Sequence, residues 1–171
     1  MTPEVYLVIE AKIKNELENL HALEGELAAY GLYPTVSVTS VGGFALTDPA
    51  AVRIVGSILH DYYTALEKIF ETVAARIDRS LPRGETWHKE LLDQMTLDVP
   101  GLRPPLISVE TAHRLDPYRG FRHVFRNVYG HSLSPARVME LLKDLPGLAA
   151  DVQKDLLHFT SRLRELMGMT N

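Results

Sequence analysis

Residues 122–131 read RHVFRNVYGH, two arginines and two histidines set among valine, phenylalanine and tyrosine. Arginine presents a planar fork of donors that matches phosphate oxygens and stays charged. Histidine gives and takes protons near neutral pH. At about 100° per residue on a helix, Arg119, Arg122, His123 and Arg126 fall on one strip, spaced i, i+3, i+4, i+7. Tyr118, Phe121, Val124, Phe125, Val128 and Tyr129 form a broad face opposite, with Asn127 at the edge of the strip. From His113 to His131 there are four arginines, Arg114 among them, and one acid, Asp116, in a chain of net charge -4. On composition alone, a solvated basic face and a phosphate-handling site fit this pattern equally. An Arg and a His brought together suffice to cleave RNA without a metal. One group assists the 2′-hydroxyl as it attacks the adjacent phosphorus, and the cation stabilises the charged transition state.

Other titratable residues offer less. His60-Asp61 with Tyr62-Tyr63 can reach the strip from a neighbouring helix, with Asp61 orienting an Arg or His, although a polar edge on a core helix explains them as well. His88 beside Trp87 reads as an amphipathic packing pair. His21, His113 and His158 have no partners at ligand spacing, so neither a metal nor a cofactor is expected. Phosphate-loop, dinucleotide-binding and nucleophile-elbow motifs are all missing.

The elements that must position the strip are helical. Val5, Val8, Ile9, Ile13, Leu17, Leu20, Leu23 and Leu27 step by three and four, which predicts a helix from Thr2 to about Tyr30 ended by Gly31. Residues 32–47 break the pattern, with Val36 and Val38 alternating with polar residues before Gly42-Gly43; they form a short hairpin or an ordered loop. A second long helix runs from Asp48-Pro49 to about Ser80, and residues 85–95 form a third. The proline-rich link at 98–108 cannot be helical throughout. Helix four runs from near Ser108 to Tyr129, where Gly130 permits a stop. Ser134-Pro135 caps the last helix, which is expected to kink or break at Pro146-Gly147. The sum is an all-α, single-domain bundle of about five helices over residues 1–171.

Composition narrows the setting. A chain of 171 residues with 46% hydrophobic and 23% charged residues is globular and buries a real core. Cysteine is absent, no stretch matches a signal peptide or a membrane span, and a cytoplasmic location is expected. The acidic balance argues against coating nucleic acid by bulk charge, so any such contact comes from a local patch.

Arg126 to His131, RNVYGH, has the form R-N-x-x-x-H and resembles the signature of HEPN-domain ribonucleases. The segments ILHDYYTALEKIFETVA (58–74), WHKELLDQM (87–95), RPPLIS (103–108) and LDPYRGFRHVFRNVYG (115–130) are similar, in order, to the HepT-like ribonuclease toxins. The resemblance spans roughly residues 50–160. It implies a metal-independent endoribonuclease, the toxin of a toxin-antitoxin pair. Arg126 and His131 would be its catalytic pair and Asn127 the residue that orients them. It also implies a homodimer whose two motifs line one cleft, and a nucleotidyltransferase antitoxin as partner. Arg119, Arg122, His123 and Tyr129 would then contact the RNA. The family's tyrosine two residues after the histidine is replaced here by Leu133, after Ser132. Two questions stay open. On a continued helix His123 lies about 60° from Arg126 and His131 about 140° away, unless the chain folds back at Gly130. And the chain can instead be a non-catalytic helical subunit that binds a nucleotidyltransferase and presents nucleotide or nucleic acid to it.

Overall fold

The computed structural model describes residues 3–127 and 133–169. Five α-helices carry the chain: α1 (Pro3–Ala29), α2 (Pro49–Val73), α3 (Trp87–Gln94), α4 (Val109–Asn127) and α5 (Pro135–Leu166). Between α1 and α2 a two-stranded antiparallel hairpin pairs β1 (Ser40–Val41) with β2 (Phe44–Ala45) around Gly42-Gly43, so the hairpin alternative for residues 32–47 is the one adopted.

Helix α2 is the centre of the bundle. It begins where Asp48 accepts a hydrogen bond from the Ala50 amide at 2.8 Å with Pro49 at the first position, as the sequence predicts. Its buried side chains run from Ala51 and Val52 to Phe70 and Val73, and α1, α3, α4 and α5 all pack against it. These residues and those of the other helices form one connected core.

Beyond Val73 the helix widens into a π-helical turn, Ala74–Asp78, and stops at Arg79, whose backbone is left-handed (φ 53°). That turn presents Asp78 to Arg103, the arginine of the proline-rich link. Arg103 is 1% exposed and every donor of its guanidinium is used. Nε and Nη2 bond the two Asp78 oxygens at 2.6 and 2.8 Å. The remaining N–H groups reach the carbonyls of Leu97, Pro104 and Gln94. A link that cannot form a helix is thereby fixed by one side chain.

Helix α4 starts at a composite cap: the Thr111 amide donates to Ser108 Oγ, while the Ser108 amide and the Thr111 hydroxyl both donate to Asp155 of α5. Of the two alternatives at Pro146-Gly147, the break does not occur: α5 is continuous from Pro135 to Leu166. Proline removes one rung of the helical ladder, and α4 braces that stretch from outside. The Tyr118 hydroxyl donates to the Leu141 carbonyl at 2.7 Å, and Arg114 bonds the Asp144 carboxylate at 2.7 Å and its carbonyl at 3.3 Å. Arg114 also pairs with Asp151. Gly147 is what admits this guanidinium, since a Cβ there would lie 2.9 Å from Arg114 Nη2.

Removing one partner of a buried, fully bonded ion pair leaves the other charge stranded, at a cost of about 3–5 kcal/mol. Arg103→Ala is therefore expected to lose about that much stability in chemical denaturation, and Arg103→Lys to recover only part of it.

Candidate active site on helix α4

Along α2, His60, Tyr63, Glu67 and Glu71 recur at helical spacing and form a polar seam. Glu67 is 3% exposed. One of its oxygens takes the proton on His88 Nδ1 of α3, and the other pairs with Arg122 Nη2 of α4 at 2.8 Å. Arg122 Nη1 lies 3.4 Å from His88 Nε2, and the Trp87 ring stacks on His88 at 3.6 Å. Three helices meet at this one carboxylate. Nearer the N-terminus of α2, His60 Nδ1 bonds Asp61 at 2.9 Å and its ring lies 5.0 Å from that of Phe125. Around this seam the Tyr63 hydroxyl, His60 Nε2 and Arg122 Nε are buried without a hydrogen-bond partner among the described residues. Burial pushes the Tyr63 hydroxyl well above its ordinary range, helped by the charge of Glu67.

The four arginines of α4 are thus treated differently. Arg114 is held by Asp144 and Asp151, and these bonds, the one to Asp144 foremost, raise its pKa further. Arg119 pairs with Asp116 through Nε at 2.8 Å. Arg122, expected on the exposed strip, instead turns inward to Glu67, with its side chain 11% exposed. Arg126 is exposed and makes no ion pair with any described residue. His123 and Asn127 are exposed beside it, and Asn127 folds back so that its Nδ2 donates to the His123 carbonyl at 2.8 Å and lies 3.5 Å from His123 Nδ1. The end of α4 therefore brings together Arg126, His123 and Asn127, with Arg119 further back and Arg122 withdrawn. His131 and Tyr129 lie outside the described residues.

Glu67 and His88 are the members that sequence reasoning missed. The available signal was Glu67 itself, an acid between Leu66 and Ile69 on a helix buried nearly all round. A groove of about 520 Å³ flanks the same end of α4, lined on one side by Asp116, Arg119, Phe121 and Val124 and on the other by Leu133, Ser134 and Arg137. Among the described residues, no group of three or more His, Asp and Glu is arranged to hold a metal ion, and no helix is long and apolar enough to cross a membrane.

Comparison with known protein families assigns this helical bundle to one of them. It belongs to the HepT-like protein family, whose model matches residues 54–163 and so takes in most of α2, all of α3 and α4 and nearly all of α5. No curated protein and no solved structure matches the chain significantly.

The seam carries a pH signature. The Glu71 carboxyl is held above its ordinary value of 4.5, first by burial and then by the charge of Glu67, with Arg122, His88 and Lys68 opposing. The folded protein binds this proton more tightly than the unfolded chain, so ionised Glu71 costs stability above the raised value, and the cost vanishes below 4.5. Glu71→Gln is expected to raise the melting temperature at pH 7. The gain should shrink as pH falls through the raised value and be absent below 4.5, which paired melts across pH would check.

Proposed function

We propose that the protein is a HepT-like endoribonuclease of the HEPN type, the toxin of a toxin-antitoxin pair, which cleaves RNA without a metal at the end of α4. The observation that carries this reading is the state of Arg126. Of the α4 arginines it alone lacks a carboxylate partner among the described residues, and it opens the R-N-x-x-x-H motif of a family member. A cation left unneutralised on an acidic protein is available to the non-bridging oxygens of a phosphodiester.

In this mechanism Arg126 stabilises the charge that builds on phosphorus as the 2′-oxygen attacks. One imidazole accepts the proton of the 2′-hydroxyl, and a protonated group returns one to the departing 5′-oxygen, leaving a 2′,3′-cyclic phosphate and a 5′-hydroxyl. His131 is the proposed catalytic histidine, while His123, held next to Asn127, supports the substrate phosphate together with Arg119 and Tyr129. Arg122 acts from within, fixing α4 against Glu67. Two copies with their α4 motifs facing each other would supply two such pairs to one cleft, and a nucleotidyltransferase is the proposed antitoxin. A second reading, a non-catalytic helical subunit that presents nucleotide to a nucleotidyltransferase, draws on the absence of the family's tyrosine two residues after His131.

Purified protein incubated with structured RNA in the presence of EDTA should yield 2′,3′-cyclic phosphate ends and leave 2′-deoxy-substituted sites intact. Arg126→Ala should abolish cleavage. His131→Ala should slow it by about 10² to 10⁴, as expected for losing a general acid or base, and His123→Ala by less. The reverse ranking would move the catalytic role to His123, and two near-neutral histidine variants would favour the non-catalytic subunit. Light scattering at micromolar concentration should give twice the chain mass; a monomer would rule out the shared cleft.

A further inference from the structure

We infer that the groove beside α4 is a subsite for one nucleobase of single-stranded RNA, next to the cleaved phosphate; the position of the base relative to cleavage rests on the nuclease reading above. The groove is lined from α4 by Phe121 and Val124 and from the start of the next segment by Leu133 and Ser134. Its volume, about 520 Å³, is in the range that encloses small organic ligands. Part of the wall is apolar: Val124, 42% exposed, lines it together with the buried Phe121 and Leu133.

Gly120 is the residue that gives this groove a purpose. It lies mid-helix, where glycine is less favourable than alanine, and its φ is not positive. A Cβ built there meets no atom of the described residues within 4 Å. Nothing among the described residues therefore calls for glycine at 120. What the missing side chain does is keep the groove open down to the helix backbone, so that a flat ring can lie against it.

The charges select the occupant. Arg119 engages Asp116 through Nε, and Arg137 engages Glu140 through Nη1, so the other donors of both forks remain for phosphate oxygens on either side of the base. Asp116, the one carboxylate lining the groove, is already paired with Arg119. Two arginines flanking an apolar slot fit a nucleotide better than the helix of a second copy, which would bring no phosphate to them.

The test is binding of the full chain to a 2′-O-methyl oligonucleotide, which cannot be cleaved through the 2′-oxygen, followed by fluorescence anisotropy. The same strand is then made abasic at each position in turn. Wild type should lose about tenfold in affinity when one particular base is removed, the scale of a single base contact. Gly120→Trp, which fills the slot, should bind the intact strand about as weakly as wild type binds that abasic strand, and should lose no further affinity on base removal. Gly120→Leu serves if the tryptophan variant does not melt cooperatively. The inference fails if wild type binds every abasic strand as tightly as the intact one, or if the filled variants keep the full penalty. It also fails if they turn a dimer into a monomer with the penalty unchanged, since the groove would then seat a second copy. A base penalty without any Arg126-dependent cleavage of unmodified RNA would sink the nuclease reading and leave the base site standing.

Discussion

Glu67 sits in the most enclosed helix of the bundle, where an isolated carboxylate would be driven to bind a proton or be expelled. It is tolerated because His88 and Arg122 arrive from two other helices and bond its two oxygens. The geometry of the α4 site follows from that requirement. Neutralising Glu67 consumes Arg122, turns one side of α4 towards α2, and leaves His123 and Arg126 on the side that faces outward. Such a pairing adds little net stability compared with well-packed apolar residues. Its use lies in directing α4, since slipping the helix by one residue would part Arg122 from Glu67.

The same logic separates arginines committed to the framework from those left without a carboxylate. Arg103 spends all its donors on Asp78 and three carbonyls, Arg114 spends its charge on Asp144 and Asp151, and Arg122 spends its own on Glu67. A sequence read for positive charge counts these equally. On α4 the fold divides them into cations neutralised by a carboxylate and one, Arg126, left without such a partner among the described residues. An acidic chain can in this way hold a locally positive end without a basic overall balance.

Periodicity exposed most of the architecture. The apolar steps of α1 and α2, the Asp48-Pro49 and Ser134-Pro135 starts and the Gly42-Gly43 turn all mark elements that form, because each is a local preference the tertiary structure has no reason to override. At Pro146-Gly147 the break allowed by the sequence is overridden for the opposite reason. Read locally it is a helix breaker, yet Tyr118 and Arg114, more than twenty residues away, bond the backbone around it and keep α5 whole. The site was legible to the same degree. The i, i+3, i+4, i+7 strip correctly placed His123 and Arg126 on one side of α4. Helical angles alone could not show that Arg122, on the border of that strip, would be captured by a carboxylate 55 positions earlier.

Gly147 and Arg114 occupy one volume between them, since any side chain at 147 would collide with the guanidinium. Their evolutionary histories should therefore be tied. In relatives that carry alanine or a larger residue at the position of Gly147, the arginine matching Arg114 should have been exchanged for something shorter, and the acids matching Asp144 and Asp151 should then drift free of constraint. Divergence at this point of α5 would come as a block of linked replacements and not as single tolerated changes. A lineage caught between the two states, with the glycine gone and the arginine kept, would have to swing the guanidinium away from Asp144 or Asp151.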